Sequence, residues 1–169
     1  IVMREDFSDI LAFIPEIAAG AAGEASFSFR TSDRLASYVV QVFAHDGEMN
    51  NGTLRDTMMV TLPVQIGISQ PRFLYAGDRY VAGVTLSNGS SEAVAGMLSA
   101  GLYKGDALIA QRNVEAIAEA DGESVFRLDF GEIPAPDQAG KAESLSVKAV
   151  FEGVTSAGAK ITDGIKVEI

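Results

Sequence analysis

Apolar and polar residues alternate with a period of two along most of this chain. In a strand, successive side chains point to opposite faces, so such runs predict half-buried strands. Tyr80, Ala82, Val84 and Leu86 share one face of "RYVAGVTLS", and Arg79, Val81, Gly83, Thr85 and Ser87 share the other. The same alternation places together Phe27 with Phe29, Val40 with Val42 and Ala44, and Met58 with Val60 and Leu62. It continues through Val64, Ile66 and Ile68, through Leu98, Ala100 and Leu102, and through Phe126, Leu128 and Phe130, with Arg127 and Asp129 outward. Leu145, Val147, Ala149 and Phe151 follow, and Ile165, Val167 and Ile169 end the series. Short alternating runs separated by Gly, Asn and Asp predict an all-β, antiparallel β-sandwich.

One stretch is ambiguous. "DALIAQRNVEAIAEADGES" contains helix formers at Leu108, Arg112, Glu115 and Glu119, yet Val114, Ala116 and Ala118 alternate. The strand reading is preferred, with Asp121-Gly122 as a hairpin turn into the Phe126 strand. Proline cannot donate to a ladder, so Leu62-Pro63 predicts a boundary there. "EIPAPDQAGKAE", residues 132–143, reads as an exposed loop between strands of one sheet system.

Composition narrows the function classes. The 169 residues are 47% hydrophobic, enough for a packed core. A net charge of −10 repels phosphate backbones and argues against nucleic-acid binding. The absence of cysteine rules out a disulfide framework, a thiolate metal site and a cysteine nucleophile in this segment. Ile1 is not a native start, so targeting information is expected upstream of it.

Candidate chemistry is sparse. His45 stands beside Asp46 and Glu48, but one histidine with two neighbouring acids fits no strong zinc spacing, and a turn at Asp46-Gly47 is expected there. Asp78 after Gly77 reads as turn chemistry, without a second carboxylate to make an acid–base pair. Asn51-Gly-Thr and Asn88-Gly-Ser match the glycosylation sequon and are also favoured turn pairs; turns are expected at both. Arg72 precedes the apolar group Phe73, Leu74 and Tyr75, of which Phe73 or Leu74 is expected to pack at a junction between sandwiches. "GVTSAG" lacks the spacing of a nucleophile elbow. No catalytic, cofactor-binding or metal-ligating residue and no cofactor is assigned, and an enzyme is not expected.

Three ordered phrases carry a resemblance: "VMREDFSDILAFIPEI", then "GEASFSFRTSDRLASYVVQVFAHD", then "PRFLYAGDRYVAGVTLSN". They resemble the alpha-2-macroglobulin family, its bacterial members above all. Residues 1–88 hold the specific phrases, and residues 89–169 fit by position and strand pattern. Two positions depart from the family wording: Tyr38 stands where Trp is frequent, and Gln70 where a Leu often precedes the proline. The resemblance implies macroglobulin-like sandwiches of fibronectin type III or immunoglobulin-like topology. It implies that residues 1–62 are the C-terminal half of the domain interrupted by the protease bait region, and that residues 63–169 are the next, complete macroglobulin-like sandwich. It implies a non-catalytic segment of a protease-trapping inhibitor, linking the bait to the CUB and thioester region. Proteases, through the parent, and neighbouring domains of the same chain are then the partners. A dimer through uncovered strands of residues 1–62 is also expected, since half a sandwich leaves strand edges open. The implied location is the periplasm or cell envelope, with an inner-membrane-anchored lipoprotein as one form of parent. The alternative from the residues is a fibronectin-type adhesion or carbohydrate-binding module, for which Tyr75 and Tyr80 are the candidate aromatic platform, although Tyr80 is expected to be buried.

Overall fold

The computed structural model describes residues 3–135 and 144–169. They contain nine strands and no helix. The chain divides into two units: Asp6–Thr61, and Leu62–Ile169 together with Ile1–Glu5.

The larger unit is a two-layer antiparallel sandwich. Its first sheet has the order β3 (Val64–Ser69), β4 (Arg79–Asn88), β7 (Gly122–Glu132). Its second has the order β6 (Ala107–Ala118), β5 (Val94–Lys104), β8 (Leu145–Thr155), β9 (Lys160–Glu168). Three strands facing four in this order is the arrangement of fibronectin type III and related immunoglobulin-like folds. The alternating faces meet between the layers: Leu86, Val84 and Val64 from one sheet, and Phe151, Leu98, Leu102, Val94 and Val147 from the other, are almost fully buried. Each such side chain contributes about 1.5–3 kcal/mol. Tyr80 and Phe130 stack inside, with ring centroids 5.8 Å apart.

The ambiguous stretch is strand, as preferred, but its turn is not a hairpin. β6 pairs with β5, and β7 pairs with β4, so the chain crosses from one sheet to the other at Asp121. Asp121 takes φ 49°, and its N–H bonds Ser90 O at 2.9 Å. Ser90 lies in the other crossing, between β4 and β5, so the two crossings brace each other. Both Ala116 and Ala118 of β6 are buried beneath this end, which fixes β6 in its own layer.

Residues 136–143 of the expected 132–143 loop lie outside the described residues. The start of that stretch is not exposed loop throughout: Ile133 is buried, and its N–H bonds Asp78 O at 2.8 Å.

The smaller unit holds one ladder, β1 (Ser37–His45) against β2 (Asn51–Met59). Its side chains are largely exposed, Phe43 at 64% and Leu54 at 60% among them. The strand expected over Phe27 and Phe29 does not form; the two rings stack at 6.1 Å on irregular backbone. Alternation gives a segment one apolar face, but a strand also needs a neighbour to take its N–H and C=O groups, and none of the described residues supplies one. A polar knot orders the rest of this unit. Asp33 N–H bonds Asp6 O at 2.7 Å, and Asp6 N–H bonds the Asp33 carboxylate at 3.0 Å. The Tyr38 hydroxyl donates to Arg34 O at 3.1 Å and lies 2.8 Å from the buried Ser32 hydroxyl. Tyr38 thus uses its hydroxyl where the family wording often has Trp.

Candidate functional site

Three places in the sandwich unit hold polar groups in built positions. The first is the seam where β9, the edge of one sheet, meets β3, the edge of the other. Asp163 lies on the inward face of β9, opposite Phe151 in the register. Its side chain is 2% exposed, and that of Arg4 is 12% exposed. Arg4 Nε donates to Asp163 Oδ1 at 2.8 Å and Arg4 Nη2 to Oδ2 at 2.6 Å, a two-pronged ion pair. Gly164 N–H donates to Oδ1 at 2.8 Å and Ile66 N–H to Oδ2 at 2.7 Å. Arg4 Nη2 also donates to Ile66 O at 2.7 Å. Ile66 sits on an edge strand, so its outward N–H and C=O have no ladder partner; the ion pair fills both roles. With four donors on its two oxygens, Asp163 is saturated. It is a structural anion rather than an acid or base for chemistry.

Backbone bonds bring Arg4 to this seam. Arg4 N–H bonds Gly164 O at 2.8 Å, and Lys166 N–H bonds Arg4 O at 3.0 Å, a parallel bridge beside Ile165. Arg4 therefore adds a single bridge beyond β9, although strand alternation gave no sign of it. Lys166 Nζ stands 3.1 Å from Glu168 and 3.6 Å from Glu5; these partners raise its pKa, the Glu168 hydrogen bond most.

The second place is the crossing end. Asn88 is 3% exposed. Its amide donates to Glu92 O at 2.8 Å and to Ala118 O at 3.0 Å, while its Oδ1 accepts from Ser90 N–H at 2.9 Å. Asn88 ends β4, a bend follows it at Ser90, and the buried, fully engaged amide makes this asparagine a strut. An open hollow beside it is lined by Gln65, Ser87, Asp121 and Glu123, among others. The other sequon differs from expectation: Asn51-Gly52 lies within β2, and the turn is Asp46–Met49, with Met49 at φ 67°.

The third is the turn before β4. Gly77 takes φ 86°, and the Asp78 carboxylate accepts from Tyr75 N–H at 2.8 Å, the turn role expected of it. Arg72 is exposed. Phe73 is 65% exposed and meets Tyr75, 69% exposed, edge to face at 5.4 Å. Leu74 is half-buried.

In the smaller unit, His45 ends β1 with Nδ1 3.4 Å from Asp46 O. The Asp46 carboxylate accepts from Glu48 N–H, Asn50 N–H and the Asn50 amide, all within 2.9 Å. These bonds, the Asn50 side chain first, hold its pKa below the ordinary carboxylate value. The acid beside His45 is therefore spent on the turn, and no group of three or more His, Cys, Asp or Glu is placed to hold a metal ion among the described residues.

Fold and site together define a class: an antiparallel sandwich of the immunoglobulin-like kind, with its polar side chains committed to holding strands in place. A model of the alpha-2-macroglobulin family matches residues 11–99, a little over half of the chain, and the chain belongs to that family. It is also similar to the alpha-2-macroglobulin homolog of Nostoc sp. strain PCC 7120, with 28% identity over 85 residues, 50% of this chain. The matched region is 4% of the length of that relative, so this chain corresponds to a small part of it. Arg4 and Asp163 both lie outside the family match. One signal was available in the sequence: Asp163 falls on the alternating face of Ile161, Ile165 and Val167, where a lone charge calls for a partner.

Proposed function

We propose that this chain is a non-catalytic structural segment of a bacterial alpha-2-macroglobulin-like endopeptidase inhibitor that traps proteases. In its parent it links the bait region to the CUB and thioester region. The observation that carries this reading is the extent of the family match, which runs from the Asp6–Thr61 unit into β5 of the sandwich. One family segment thus includes both units. In this reading residues 1–62 supply the second half of the bait-bearing domain, with the chain through Glu5 fastened to the sandwich. The open β1–β2 hairpin supports it, because a lone two-stranded ladder is marginal in water and needs further strands. The parent chain supplies that cover; in the isolated chain a second copy takes its place. Proteases are the partners of the parent, and its location is the periplasm or cell envelope, free or as an anchored lipoprotein.

The test uses the full-length parent. After the protease cuts it upstream of this segment, the enzyme is expected to keep its activity on a small peptide substrate and lose it on a large protein substrate. Unchanged cleavage of both substrates would contradict the proposal. Tyr80 is 3% exposed inside the sandwich, as expected, which leaves the adhesion or carbohydrate-binding alternative with Tyr75 alone.

A further inference from the structure

The β3–β9 seam has the features of a binding site as well as those of a structural contact. The Asp163 carboxylate is fixed by two backbone N–H groups, Ile66 and Gly164, that belong to the sandwich itself. Remove Arg4 and those two bonds remain, leaving a buried, oriented anion with two vacant acceptor directions. The third acceptor, Ile66 O, stands beside them and takes a bond from the same guanidinium nitrogen. A planar fork satisfies this set, whereas the point charge of an ammonium does not match its geometry. The segment that delivers the fork is held mainly by the fork itself. Besides its guanidinium bonds, Arg4 joins β9 through two backbone hydrogen bonds at a single bridge, and Glu5 stands 3.6 Å from Lys166. β9, by contrast, is paired with β8 along nearly its whole length.

We propose that the seam is a strand-addition site selective for arginine, occupied in cis by Met3–Glu5 and exchangeable for an extended peptide that presents an arginine in the same way. The arm opens and recloses without unfolding the sandwich, because the layers' apolar contacts do not depend on it. While open, the seam accepts an arginine-bearing segment in parallel alignment with β9. Its ligand class is an extended peptide, read through one guanidinium and the two backbone bonds at Gly164 and Lys166. The site does not require protease trapping by the parent, and its readouts are thermal stability and amide exchange alone.

The test uses the whole chain, its Arg4→Ala variant, and a blocked peptide of sequence Val-Met-Arg-Glu-Asp. Arg4→Ala is expected to melt at a lower temperature. The peptide is expected to restore that loss in a saturable way and to leave the natural chain unmoved. A peptide with Lys in place of Arg is expected to restore little, and the double variant Arg4→Ala with Asp163→Asn to gain nothing from either. A folded Arg4→Ala chain that ignores the peptide, or that responds equally to the Lys peptide, would overturn the site. Should Arg4→Ala not fold, exchange in the natural chain decides. The Lys166 amide, which donates to Arg4 O, is expected to exchange at least about tenfold faster than the amides of Val147 and Phe151, through local opening. Exchange of Lys166 only at the rate of those core amides would show an arm that never opens, and the proposal would fall.

Discussion

Asp163 and Arg4 are separated by 159 positions in the sequence and form a two-pronged pair in the seam. Removing one partner of a buried pair leaves an uncompensated charge, so Asp163→Ala is expected to lose about 3–5 kcal/mol of stability by urea denaturation. The pair Arg4→Met with Asp163→Leu should lose less than either partner's single loss, since no charge is then stranded. Tyr80 makes the opposite case. Its hydroxyl is buried with no hydrogen-bond partner among the described residues, and burial pushes its pKa up. Tyr80→Phe is expected to gain about 1 kcal/mol, because an unpaired buried hydroxyl is itself a cost. The sign with pH follows. A raised folded pKa means that this tyrosine's contribution is whole below about pH 10 and is lost above it, as the unfolded chain ionises first. The phenylalanine variant should lack that alkaline loss. Asp129 behaves in reverse. Its bond from Arg79 first, then that from Gly131 N–H, lowers its pKa. Its contribution is present above about pH 3.9 and is lost as acid protonates it, so Asp129→Asn should flatten the fall in melting temperature below that pH. Turn chemistry at Asp78 was legible in the sequence because Gly-Asp bonding is local. The partner of Asp163 was not, because nothing local ties position 4 to position 163.

Among the elements, alternation located each strand of the sandwich, since every one has a buried face and a wet one. It did not say which strands pair. The Asp121-Gly122 turn looks like a hairpin by local chemistry, yet it carries the chain between layers, a choice made by Asn88 and the buried alanines of β6. Asn88→Ala is expected to lose about 1–3 kcal/mol, because it strips the partner of the buried Ala118 carbonyl. A second element-scale constraint lies where β5 and β8 place Gly96 opposite Gly153. A methyl at Gly96 would stand 2.2 Å from Glu152 O, and backbone cannot turn aside as a side chain can. Gly96→Ala should therefore lose about 1–3 kcal/mol by the same denaturation assay. The Phe27–Phe29 run shows the converse failure: its alternation is sound, but no neighbouring strand completes it among the described residues.

At the scale of the whole molecule, the chain carries two unlike units. The sandwich has a closed core and includes the residues through Glu5; the Asp6–Thr61 unit has one exposed hairpin and a polar knot. The family could be read from phrases in the first half of the sequence, whereas the attachment of Arg4 to β9 is a long-range contact that no phrase carries. The most direct measurement is residue-resolved amide exchange on the full chain, at a concentration where sedimentation shows a monomer. The strands of the sandwich should be protected to near the global stability, with the β1–β2 amides exchanging orders of magnitude faster. Equal protection of β1–β2 and of β5 and β8 in the monomer would contradict the account.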